Sequence, residues 1–155
     1  MAIIPSIAFC EVGKMPANKQ NPFKLQDFMG VNPNQNTNLE AIGVKNTGQM
    51  LSVGKIAEKR ADLARQAGIP QETVLELVKL SDLSRLPGVK EIRARLYYDA
   101  GVDSIEKLAV YELEALLRLT AGFVRATSFP GITPLPKEVS STIANSRKLP
   151  RLVEW

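Results

Sequence analysis

The sequence contains no histidine and one cysteine, Cys10. Ser-His and Cys-His nucleophile pairs are therefore impossible within this chain, as are zinc sites built on histidine or on four thiolates. No residue cluster calls for a metal, and no motif calls for a cofactor. The Gly54-Lys55 pair superficially suggests a phosphate loop. Gln49, however, stands where the first glycine of such a loop belongs, and Ile56 replaces its magnesium-binding hydroxyl. The pairs Glu72/Glu76 and Glu112/Glu114 have the spacing of solvated helix faces, not of an acid-base dyad. These residue types predict a protein that is not an enzyme.

Basic side chains instead gather at Arg85, Lys90, Arg93 and Arg95, within the run Leu83-Ser84-Arg85-Leu86-Pro87-Gly88-Val89-Lys90-Glu91-Ile92-Arg93-Ala94-Arg95-Leu96. This run resembles the helix-hairpin-helix motif, in which an apolar residue and a proline precede a Gly-apolar-Gly turn and a small residue follows. Gly88, Val89 and Ala94 match that pattern, and Lys90 stands in place of the second glycine. The resemblance implies backbone N–H groups at the start of the second helix aimed at a nucleic-acid phosphate, aided by the helix dipole. A side chain at position 90 restricts the backbone and obstructs that close approach. Two readings stay open: a hairpin that packs helices together, and a sequence-indifferent backbone contact through Gly88, Val89, Lys90, Arg93 and Arg95 with Arg85 nearby. Tyr97 and Tyr98 point about 100° apart on a helix, so at least one of them is expected in the core.

Positioning that run requires helices, and the punctuation supplies them. An apolar face runs from Lys55 to Ala67 and meets Gly68 as a left-handed cap. Pro70 opens a helix over Gln71 to Leu80, and a short helical piece at Asp82 to Leu86 stops at Pro87. Further helices are expected over Glu91 to Ala100, Glu112 to Leu119 and Lys137 to Leu149, with Asp103 and Glu106 spaced as a capping box for a short helix through Ala109. The stretch Ile42-Gly43-Val44 to Leu51 echoes Ala100-Gly101-Val102 to Ala109, which suggests an internal duplication. The tail from Leu149 to Trp155 is expected to dock on its own domain.

Residues 1–37 read differently. Pro5, Pro16, Pro22 and Pro33 and a crowd of asparagines leave no helical period. Ile3, Ile4, Ile7, Phe9, Phe23, Phe28 and Met29 are nonetheless wasteful in a free tail, so the segment is expected to be an extended arm docking on a partner protein. On that expectation, deleting residues 1–37 leaves the domain's stability nearly unchanged. The expected architecture is an all-α domain of helix-hairpin-helix-like units over 38–155, preceded by this arm.

From about Asn38 the chain also resembles the DUF4332 family. The resemblance is carried by Leu63-Ala64 through Gly68-Ile69-Pro70, by Leu75 through Val89, by Arg93 through Asp103, and by Leu135-Pro136-Lys137-Glu138-Val139. It implies a helical module and no particular activity. With 20 basic and 16 acidic side chains, the net charge of +4 permits nucleic acid without demanding it. A lone cysteine argues against a disulfide-stapled secreted fold and for a reducing, intracellular setting. No apolar run is long enough for a transmembrane helix. The expected role is an accessory subunit of a larger protein assembly, soluble or peripherally attached; the runner-up is the nucleic-acid backbone contact.

Overall fold

The computed structural model describes residues 22–155. Among them the fold is all-helical. A 3-10 turn at Leu25–Asp27 leads into α1 (Pro33–Ala41), α2 (Thr47–Val53), α3 (Ala57–Ala67), α4 (Gln71–Leu83), α5 (Glu91–Asp99), α6 (Ile105–Ala109), α7 (Leu113–Thr127) and α8 (Pro136–Lys148). The only extended pairing among the described residues is a single bridge between Lys24 and Asn46.

Several of these helices start and stop where the punctuation indicates. Gly68 takes φ +67° at the end of α3, and the Ile69 N–H returns to the Ala64 carbonyl at 3.0 Å, closing the helix. The Asn46 side chain accepts from the Gln49 N–H while Gln49 caps the Asn46 N–H, a complete capping box for α2. At α6 the cap is Ser104, which accepts from the Lys107 N–H at 3.1 Å, and not Asp103. Asp103 is instead held by Lys79 at 2.9 Å and Lys107 at 2.8 Å, tying α4 to α6. Burial works to raise its carboxyl pKa, and hydrogen bonds from the two lysines outweigh it and hold the group below the usual range. The α7 helix runs about two turns past Leu119, to Thr127.

One constant shift of 58 residues, Gly43 to Gly101, carries much of the first half of the chain onto the second. It takes the Phe28 N–H to Leu25 O bond onto Leu86 to Leu83, both 3.2 Å, and Asn36 to Asn32 onto Ala94 to Lys90, both 2.9 Å. It takes Val44 to Leu39 at 3.0 Å onto Val102 to Tyr97 at 2.9 Å. Gly30 and Gly88 share φ values of +82° and +81°, and Gly43 and Gly101 share +91° and +98°. The pattern continues in packing: α2 lies on α4 as α6 lies on α8, and α3 lies on α4 as α7 lies on α8. Buried Val74, Leu77, Val78 and Ser81 of α4 have counterparts in Val139, Thr142, Ile143 and Ser146 of α8. The domain is thus two copies of one four-helix unit, and the echo visible in sequence is its best-preserved stretch.

The first unit begins before residue 38. Leu25 is fully buried and Phe28 is 2% exposed, both inside the core, while Phe23 and Met29 are half-buried. The Leu25 N–H bonds the Lys45 carbonyl at 3.1 Å and the Thr47 N–H bonds the Phe23 carbonyl at 2.9 Å. The α1 helix was hidden by its composition. Asn32 caps it by accepting from the Asn34 and Gln35 N–H groups, and Pro33 occupies its first turn, but only Asn36 and Leu39 are buried, so it carries no apolar stripe. The expected arm-to-domain boundary at 37/38 therefore moves back to before Phe23. Ile3, Ile4, Ile7 and Phe9 lie outside the described residues.

The chain's last residues bind both units. Val153 is 1% exposed. The buried Arg60 guanidinium donates to Gly54 O at 2.8 Å and to Glu154 O at 2.9 Å, and the Glu154 N–H bonds Lys55 O at 2.8 Å. Trp155 donates to Glu106 at 3.1 Å, with the Lys79 ammonium 4.7 Å from its ring centroid.

Candidate functional site

The basic hairpin is the turn from α4 into α5. Leu86 and Val89 are buried in the core, and the Val89 N–H closes the turn on the Leu86 carbonyl at 3.0 Å. Gly88 needs its glycine for conformation: its φ is +81°, yet a Cβ there would meet nothing within 4 Å. Ala94 is fully buried one turn into α5. Lys90 is exposed and sits at the N-cap position with extended backbone, making no side-chain cap. Its counterpart in the first unit is Asn32, which does cap its helix. The turn geometry therefore recurs where no basic cluster exists.

The other three basic side chains point into the protein. Arg85 is 3% exposed, paired to Asp82 at 2.7 Å and bonded to Pro150 O at 2.7 Å. Burial pushes the Asp82 carboxyl up, and the Arg85 charge and hydrogen bond oppose that. Arg93 grips Glu138 with two nitrogens and donates to Ile132 O at 2.5 Å. Arg95 is 5% exposed, bonded to Glu76 at 2.6 Å, with Asp99 at 3.4 Å and the Tyr98 ring centroid 5.7 Å away. Tyr97 is fully buried, and burial raises its phenol pKa. The arginines expected to face a phosphate are fasteners between elements, so Lys90 is the one exposed cation among the four. Sequence spacing does not reveal this, because the partners Glu138 and Pro150 lie far along the chain.

These roles separate in stability measurements. Arg95→Ala is expected to lower the unfolding free energy by roughly 2 kcal/mol, since Glu76 and Asp99 lose a largely desolvated partner while keeping some water. Lys90→Ala should stay within about 0.5 kcal/mol, as an exposed side chain without partners usually does. Urea unfolding of the two variants decides it, and equal losses would contradict the assignment.

The described residues gather no group of three or more Cys, Asp or Glu side chains suited to a metal. The depression between the first unit's turn and α4, lined by Gly30, Val31, Asn32, Gln35, Thr73, Glu76 and Leu77, encloses about 280 Å³ including open solvent, too shallow to enclose a ligand. No described helix is long and apolar enough to cross a membrane.

A family model described as a domain of unknown function, DUF4332, matches residues 29–149. That span covers most of the chain, from the turn before α1 to the end of α8. The chain belongs to the DUF4332 family. The match starts inside the segment whose proline and asparagine content reads as an arm, in agreement with burial of Phe28. No curated protein and no solved structure gives a significant match to this DUF4332 protein.

Proposed function

We propose that the protein is a non-enzymatic binding module, an intracellular accessory subunit docked in a larger protein assembly through its helical domain and its first 21 residues. The observation that carries this reading is where its large apolar side chains face water. The three most exposed are Val110 at 81%, Ile132 at 82% and Leu135 at 69%, all in the second unit; Ile42 in the first unit and Trp155 in the tail reach only 40% and 39%. The first unit has Ser52 at the position equivalent to Val110, and its three-residue link between α3 and α4 lacks any equivalent of the segment holding Ile132 and Leu135. Scattered apolar exposure is ordinary, but here it is concentrated where one copy departs from the other. The polar side chains fit the same reading, since the buried ionic ones hold elements together: Arg85 with the Pro150 carbonyl, Arg95 with Glu76.

The test is purification of the tagged full chain from its native cells through two unrelated chromatographic steps. Partner proteins in fixed ratio to the chain are expected, and deletion of residues 1–21 should remove them while the helical circular dichroism persists. Elution of the chain alone through both steps would contradict the proposal.

A further inference from the structure

The segment after α8 fills a slot whose walls are all supplied by the rest of the domain. The family match ends at residue 149, and the walls lie inside it: the Gly54-Lys55 link between α2 and α3, Arg60 on α3, Lys79 on α4 and Glu106 on α6. The link is seated directly on α4, since a Cβ on Gly54 would collide with Val78 Cγ2. Arg60 holds the same link by donating to the Gly54 carbonyl at 2.8 Å. The slot therefore joins the first unit to the second along a braced edge.

Residues 150–155 leave α8 through extended backbone at Leu149 and form no regular element. They are held largely by their main chain: the Pro150 carbonyl accepts from Arg85, the Glu154 carbonyl from Arg60, and the Glu154 N–H gives to the Lys55 carbonyl. Of their side chains only Val153 is buried. The Trp155 ring is half in water, flanked by Lys79 Nζ at 4.7 Å and Arg60 Cζ at 5.7 Å, with its N–H on Glu106. Main-chain bonds with a few side-chain pockets are how grooves recognise extended peptides. So few buried apolar contacts also mark a segment that opens before the helices do. Arg60 is what this arrangement explains. It is 7% exposed and pairs with no carboxylate among the described residues; its partners are two main-chain carbonyls and the Trp155 ring. A buried cation is costly without partners, and the tail supplies two of them.

We propose that residues 150–155 are an autoinhibitory strap, filling a slot in which the domain binds an extended segment of a partner protein that carries an aliphatic residue and, two positions on, an aromatic one. Val153 and Trp155 display that spacing, and the Lys79 and Arg60 cations favour an electron-rich ring. The partner segment takes the slot by displacing the strap, so it competes with a tethered ligand. The proposal rests on the binding-module reading and names one of its surfaces. Its test needs no assembly, so either can fail without the other.

The experiment uses the full chain, the full chain with Val153→Ser and Trp155→Ala together, and a fluorescein-labelled peptide of residues 149–155. By fluorescence anisotropy the peptide is expected to bind the double variant, and to bind the parent at least about tenfold more weakly because the tethered strap competes. The peptide carrying the same two substitutions should bind the double variant about tenfold less well than the unaltered peptide. No binding to the double variant, equal binding to both chains, or equal binding of both peptides would overturn the proposal. So would loss of helical circular dichroism in the double variant, which would make the tail part of the core. The parent chain gives an independent reading, since Trp155 is its only tryptophan. Its fluorescence is expected to change at lower urea than the helical circular dichroism, as a strap that opens first requires. Coincident transitions would contradict a releasable strap.

Discussion

Deleting residues 1–37 is expected to leave the remaining chain unfolded. The deletion removes Leu25 and Phe28, both buried, together with the 3-10 turn and the capped start of α1. Truncating a buried leucine to alanine costs about 2–5 kcal/mol and a buried phenylalanine about 3–5 kcal/mol, against the roughly 5–15 kcal/mol that holds a typical domain. Phe28→Ala alone should therefore remove about 3 kcal/mol or more, read as a lower urea midpoint at unchanged slope. A deletion ending at residue 21 removes none of these core residues. If the 1–37 deletion kept a cooperative transition near that of the full chain, Leu25 and Phe28 would not belong to the first unit's core.

The second large effect concerns Arg85. Both it and Asp82 are nearly solvent-free, so Arg85→Met leaves a buried carboxyl without its partner and removes the bond to the Pro150 carbonyl; the expected loss is about 3–5 kcal/mol. Replacing the pair together, Arg85→Met with Asp82→Leu, should recover most of that loss, because desolvating two charges offsets much of their attraction. Equal instability of the single and double variants would show that Arg85 acts chiefly through its bond to the tail. A stable Arg85→Met protein would instead place the side chain in solvent, as a phosphate contact requires.

The contrast between these two regions indicates which features the sequence makes legible. Glycine caps and amide-bearing caps act over four or five residues, so Gly68, Gly101 and the Asn46/Gln49 box can be read without knowing the tertiary structure. The α4 and α8 helices are legible for a second reason, their apolar periodicity. The polar α1 has a start signal, Asn32-Pro33, and no stripe, and the surrounding prolines and asparagines mask it. The duplication shows weakly because it survives as backbone pattern: Leu39 answers to Tyr97 and Asn32 to Lys90, pairs with no chemical likeness.

The candidate site was legible as a turn and illegible as a surface. Gly88, Val89 and Ala94 occupy the places their types indicate, at the bend, in the core and under the following helix. Local spacing offers Asp82 to Arg85 and Asp99 to Arg95, but whether an arginine faces water depends also on distant partners, which Arg85, Arg93 and Arg95 find at positions 150, 138 and 76. Likewise, Pro130, Pro134 and Pro136 mark a link in the sequence, while the burial of Phe129 and Pro134 and the exposure of Ile132 and Leu135 along it appear only in the fold.

The most direct test of the binding-module account is the mass of the protein as it occurs in a gentle extract of its native cells, measured by size-exclusion chromatography with light scattering after detection of the tagged chain. The account predicts a species several times heavier than the 17.0 kDa chain, collapsing to the mass of the shortened chain alone when residues 1–21 are removed. Elution of the intact chain at 17.0 kDa, unchanged by that deletion, would contradict it.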